Sequence, residues 1–297
     1  MKTIFVALLS LVLTTAGFSQ AIKVKEVTVN MSKGMNNGFE VEIPQAAAKD
    51  VEKDWKHRLT VGNKAKLAET NGEIGARGID NKDIATQPFN AYCIVSSSTG
   101  GVKLIAWFTF NDTTFFATKS GRSEAIAASR FVRDFANAEY FITVKNTYEK
   151  EREKLDKMRD ELEKSVKAQE KSALKISENK RAIARAQEDL AANDNDQMEA
   201  TAAVNLQQAE VDKARNGNPD IYKAADKELK ELQDEAKKLK SKNADLHKKI
   251  DEWNKENTTE DRNITSAKKD QAKATDTIEK QKALIKDLAA KLKAIKA

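Results

Sequence analysis

Two histidines, His57 and His247, and one cysteine, Cys93, are the side chains best suited to metal or nucleophilic chemistry. A metal site needs three or four such ligands at close spacing, and a nucleophile needs a base beside it. His57 sits in Trp55-Lys56-His57-Arg58, where basic neighbours oppose a cation, and His247 lies 190 positions away. Cys93 falls inside the apolar run Ala91-Tyr92-Cys93-Ile94-Val95 and reads as an inert thiol on a buried strand. Gly72-Glu73-Ile74-Gly75-Ala76-Arg77-Gly78 spaces glycines by three, but no helix opens after it, so it lacks the helix N-terminus that cradles phosphate. No nucleophile-elbow, P-loop or dinucleotide fingerprint occurs. The expectation is therefore no catalytic residue, no metal, no cofactor and a non-enzymatic protein. An alternative, an envelope enzyme acting on glycans or peptides through dispersed Asp and Glu, would need a carboxylate cluster in a cleft.

Composition divides the elements that would position any site. All 11 Phe lie before Thr147, while the chain from Tyr148 onward holds 34 basic and 32 acidic residues. The first part can bury a core; the second can bury only a stripe. The formal charge of +6 is interleaved with acid rather than gathered on one face, which argues against nucleic-acid binding.

Met1-Lys2, the apolar run Ile4 to Leu13, and Ser19 and Ala21 at the −3 and −1 positions read as a secretory signal peptide over 1–21. A secreted or periplasmic protein without a transmembrane segment is expected. Asn111-Asp112-Thr113, Asn257-Thr258-Thr259 and Asn263-Ile264-Thr265 fit a glycosylation sequon, and Asp112-Thr113-Thr114 a short O-glycosylation pattern.

Residues 22–147 read as an α+β globular domain. Ile22 to Val29 alternates like a half-buried strand, Gly34 to Gly38 reads as a hairpin connection, and Phe39 to Ile43 alternates again until Pro44. Ala48, Val51, Trp55 and Leu59 have helical spacing within Gln45–Leu59. Asn71-Gly72 is a hairpin signal between Lys64–Glu69 and Glu73–Ile79. Strands follow at Phe89–Ser96 and Val102–Phe110, with Phe115-Phe116-Ala117 a short continuation. A second helix is expected at Ser123–Phe135, with Ile126, Phe131 and Phe135 inward and Arg122, Arg130 and Arg133 outward. The expected head is an antiparallel sheet of about five or six strands with two helices on one face.

The order of strands ending in Glu40-Val41-Glu42-Ile43-Pro44, the helix holding Val51, Trp55 and Leu59, the pair within Lys64–Ile79, the Val102–Phe110 strand with Trp107, and Phe131-Val132-Arg133-Asp134-Phe135 resembles an uncharacterised secreted family of Bacteroidota. The resemblance covers this domain alone, supports its fold and compartment, and carries no activity.

Residues 148–297 read as a long antiparallel coiled-coil helical hairpin. From Ala225 to Ile295, steps of four and three run through Leu229, Leu232, Asn243, Ile250, Trp253, Asn257, Glu260, Ile278 and Leu288 without losing phase. A first seam is read through Leu162, Val166, Gln169, Ala173, Ile176, Lys180, Ile183, Gln187, Leu190 and Asp194 to Val211. Leu155 and Met158 lie one step out of phase, which implies a stutter. Asn193-Asp194-Asn195-Asp196 is a weaker break that the phase crosses.

Between the seams, Asn216, Gly217, Asn218 and Pro219 supply stop and start signals: Gly217 for a left-handed helix end, Asn218 for an N-cap, Pro219 for the first helical position. Folding there pairs residues whose numbers sum to near 435 and makes arms of roughly 100 Å at 1.5 Å per residue. Asn243 then falls near Asp194, and Asn257 and Glu260 near Lys175 to Lys180, a matching of polar seam residues that sets register. Leu284 to Ile295 should lie beside Tyr140 to Tyr148. A monomeric hairpin is favoured over a parallel homodimer, the arm serving as spacer or protein-interaction element. Lys286, Lys291, Lys293 and Lys296 mark a weaker expectation of contact with an anionic surface.

Overall fold

The computed structural model describes residues 22–62, 64–111, 113–120 and 122–296, with the side chain of Lys296 left aside. The leader reading over 1–21 and Asp112 lie outside the described residues. No helix among the described residues is long and apolar enough to cross a membrane. The chain falls into two compact units: the described residues up to Lys154 with those from Gln281 onward, and Leu155–Lys280.

The first unit holds six antiparallel strands in the order β1-β2-β6-β5-β4-β3, with β1 at Lys25–Met31, β2 at Gly34–Pro44, β3 at Lys66–Thr70, β4 at Glu73–Ile79, β5 at Phe89–Ser98 and β6 at Gly101–Thr109. Alternation sends Phe39, Val41, Ile43, Leu104, Ala106, Phe108, Ala91, Cys93 and Ile74 to one face. There α1 (Ala48–Thr60) buries Val51, Trp55 and Leu59 at the expected spacing. Trp55 lies edge-on to Phe135 at 4.8 Å and Phe131 at 5.7 Å between ring centroids. Both phenylalanines come from α2, which runs Ser123–Ala214.

Four local readings change. The β1–β2 turn is Ser32-Lys33, and Gly34 to Gly38 belong to β2. Gly38 is needed there because the Trp107 indole lies over it: a Cβ would meet Nε1 at 2.7 Å. The stretch 123–135 is not a separate helix but the start of α2, since nothing between Phe135 and Ala214 breaks the helix. Ile126 is 57% exposed, and the inward spiral is Ala125, Ala128, Val132, Phe135, Ala136. Beyond β6, Phe115 makes a single bridge to Thr109 rather than a strand. Asn71-Gly72 is the tight turn expected, with φ of 53° and 77°.

The other face of the sheet carries a second cluster of Met31, Tyr92 and Trp107. The Ser32 N–H and hydroxyl donate to Glu73 at 2.9 and 2.5 Å, and Lys33 lies over the Tyr92 ring. The β1–β2 turn is thereby tied to β4, covering this cluster without a helix.

α3 spans Pro219–Lys296 and packs antiparallel against α2. Every seam position named for α3, from Ala225 to Ile295, is buried or half-buried. On α2 one expected column is wrong. Leu162, Gln169, Ile176, Ile183, Leu190, Val204 and Val211 face inward, but Val166, Ala173, Lys180, Gln187, Asp194 and Thr201 are exposed. The second inward column is Met158, Ser165, Ser172, Asn179, Ala186, Asn193, Ala200 and Gln207. Small and polar, it escaped a reading based on hydrophobicity. Leu155 and Met158 are in phase with it, so no stutter occurs.

Candidate functional site

Within Leu155–Lys280, the α2–α3 seam is a ladder of polar layers. Asn193, fully buried, donates through Nδ2 to the Leu239 carbonyl at 2.9 Å and to Asn243 Oδ1 at 2.5 Å. Asn243 in turn donates to a carboxylate oxygen of Asp194. Asn179 donates to Glu256 at 2.9 Å, and Lys175 pairs with the same carboxylate. Gln271 donates to Ser165, and Gln207 to the Ala225 carbonyl and to Glu228. The partners Ser165–Gln271, Asn179–Glu256, Asn193–Asn243 and Gln207–Glu228 have numbers summing to 435 or 436. Such layers cost stability relative to an apolar seam but penalise any other register, because a slip strands buried amides in a low-dielectric interior.

Of the expected register residues, the structure brings Asp194 and Asn243 together. Glu260 accepts from Asn263 and lies by Ser172. Asn257 lies in the seam with Oδ1 buried and unpartnered. Lys180 is exposed outside the seam, and Asp194 reaches Asn243 from its exposed edge. Both corrections follow from the misread α2 column. Asn179 and Asn193 were missed. Their signal was position, seven and twenty-one residues past the half-buried Ser172, not residue type.

The turn holds one further correction. The Asn218 side chain accepts from the Asp220 N–H at 2.9 Å as an N-cap, and α3 opens at Pro219. Gly217 is not left-handed: its φ is absent from the positive range, and its N–H donates to the Ala214 carbonyl at 3.0 Å. The helix ends in a tightened turn, with Asn216 exposed beside it.

In the first unit, Gln281 donates to the Glu151 carbonyl and carboxylate at 2.9 and 2.7 Å. A 390 Å³ apolar groove lies among Phe141, Lys145, Tyr148, Glu149, Leu292 and Lys293, so the α3 end lies beside the 140–148 segment. Lys286 and Lys293 are exposed and Lys291 is half-buried.

A 250 Å³ cleft opens between the α1 end and the loop after β4, with Arg58, Asp80, Lys82 and Asp83 at its rim and Ile84, Phe89 and Phe131 below. The Arg58 guanidinium lies over the Phe131 ring at 5.0 Å and Lys82 pairs with Asp80 at 2.7 Å. Arg58, Lys82 and Asp80 are thus already engaged. His57 and His247 are exposed. Burial pushes the Cys93 thiol far up, which keeps it protonated and unreactive. Among the described residues no three His, Cys, Asp or Glu are placed to hold a metal.

One buried carboxylate stands apart. Glu139 on α2 is 6% exposed, and its pKa is raised to about 7, first by burial and then by Asp54 and Asp50 on α1. A raised acid keeps its proton in the folded state, so its unfavourable term grows as pH climbs from the ordinary carboxylate range through 7. Glu139→Gln is expected to stabilise the protein by about 1 to 2 kcal/mol at pH 8, allowing for solvent that still reaches the group, and by nothing at pH 4. Urea melts at the two pH values check this. An equal gain at both would refute the assignment.

Neither a protein-family model nor a curated protein matches this chain.

Proposed function

We propose that this is a non-enzymatic interaction or structural protein of the cell envelope or exterior, whose α2–α3 pair is an antiparallel coiled coil that recognises a protein partner. The observation that supports it is the α3 seam, buried or half-buried at every heptad step from Ala225 to Ile295 and cross-linked by polar layers. A paired helix with a charged, exposed outer surface suits partner recognition. The leader-like N-terminus supports the secreted or periplasmic assignment, and the head's likeness to a secreted Bacteroidota family is proposed with it. Lys286, Lys293 and their neighbours would add a weaker contact with an anionic surface.

In producing cells, a photo-crosslinkable residue at exposed Leu174 or Leu206 is expected to give one discrete adduct with another protein. The same residue at exposed Leu67 of β3 is expected to give none. N-terminal sequencing should find Ile22 first. Adducts confined to the head, or a chain retained with Met1 in the cytoplasm, would overturn the proposal.

A further inference from the structure

The 27 residues from Ala186 to Asp212 hold seven carboxylates and no Lys or Arg, in a chain with 52 basic residues. At the same height, α3 from Lys223 to Lys249 carries nine lysines against six carboxylates. Over this stretch the hairpin is therefore acidic along one helix and basic along the other.

The Lys175–Glu256 pair marks one flank of the hairpin. At heptad spacing, the opposite flank of α2 runs through Ala184, Ala191, Asp194, Met198, Thr201 and Asp212, and the outer positions of that of α3 through Lys223, Lys230, Lys237, Lys240 and Ala244, Lys230 being ion-paired at 2.8 Å to the half-buried Asp226 beside it. All eleven are exposed, Met198 by 72%. We infer that this flank docks a second copy of the chain, giving a four-helix bundle about a two-fold axis parallel to the helices. Such an axis preserves height, so the intrachain sum near 435 also governs contacts between copies. It sets Asp212 beside Lys223, Met198 beside Lys237 and Ala191 beside Ala244, each summing to 435, with Asp194 beside Lys240 at 434. Asp194 accepts from Asn243 through one oxygen and has the other to offer. Met198 would lie along the aliphatic stem of Lys237.

Every helix would then have antiparallel neighbours, and each contact would occur twice, as an isologous dimer requires. Two strips of ~40 Å by ~10 Å bury on the order of 1,600 Å² over both copies, a standard interface. The occupant is a second copy because both complementary edges lie on this chain, at matching heights. This goes beyond the partner proposed above and does not depend on it: homotypic adducts would report this contact, heterotypic ones that partner.

Sedimentation velocity of the full-length protein up to about 0.1 mM is expected to show a monomer–dimer equilibrium that weakens about tenfold on raising salt to about 0.5 M. Asp194→Lys with Asp212→Lys, and separately Lys223→Glu with Lys240→Glu, should each raise the dimer Kd by at least about tenfold. Mixed one to one, the two variants should dimerise again, because each reversed edge then meets its complement. Met198→Lys, at a position 72% exposed, should weaken the dimer while leaving helicity by circular dichroism unchanged. A native protein monomeric throughout, variants that dimerise as tightly as it does, or a mixture that stays monomeric would each overturn the inference.

Discussion

Trp55→Ala is expected to cost about 3 to 5 kcal/mol of stability in the first unit, measured by chemical denaturation followed by near-ultraviolet circular dichroism. Trp55 is fully buried beneath the sheet and stands edge-on to two phenylalanines of α2. Its removal opens a cavity where α1, β5 and α2 meet, in a close-packed interior that relaxes only partly. The edge-on contacts add roughly 0.5 to 1.5 kcal/mol each beyond the area lost. Trp55→Phe separates packing from polarity. The indole N–H has no hydrogen-bond partner, although the Cys93 thiol faces it closely enough to offset a little of that thiol's upward shift. Phe keeps most of the contact and removes the orphaned donor, so its cost should be well under half that of Ala. Equal costs would mean that the N–H, not the ring, holds the site.

Gly101→Ala should destabilise the same unit by about 2 to 4 kcal/mol. A Cβ at Gly101 would lie 2.2 Å from the Ile43 carbonyl oxygen and 3.0 Å from the Pro44 Cα, both backbone atoms that cannot swing aside. The β2–β6 pairing must part at its Pro44–Gly101 end, and the Gln45 N–H donation to the Gly100 carbonyl at 2.7 Å goes with it. Gly72→Ala makes the contrast. Gly72 has φ of 77° but nothing within 4 Å, so only conformational strain of about 1 kcal/mol is added. Thermal melts that rank the two variants the other way would show that the β2–β6 edge yields more easily than its geometry implies.

The sequence by itself determined the α+β character of the N-terminal part, the two long helices, the place of the turn between them, and the inward positions of α3. Each rests on local physics. Leu229, Leu246, Ile278 and Leu288 are large apolar side chains at helical spacing, and Asn218-Pro219 caps a helix with its own side chain and ring. Val51, Trp55 and Leu59 needed only the helical period to be assigned inward. Asn71-Gly72 needed only its freedom to adopt positive φ.

Tertiary structure decided what those rules do not reach. Val166 and Ala173 are more apolar than Ser165 and Ser172, yet the latter face α3, where Ser165 accepts from Gln271 and Ser172 lies by Glu260. That choice also placed Asn179 and Asn193 in the interior, moved Lys180 out of it, and removed the stutter at Leu155. Gly38 looked like a turn residue and proved to be the floor beneath Trp107, a role set by a strand 69 residues later in the chain. Glu139 looked like one more surface carboxylate among many. Only the packing of α1 across it brought Asp50 and Asp54 near and took water away. Local periodicity settles which elements form. Which of several adequate faces each element buries depends on the surface it meets, and that surface belongs to another part of the chain.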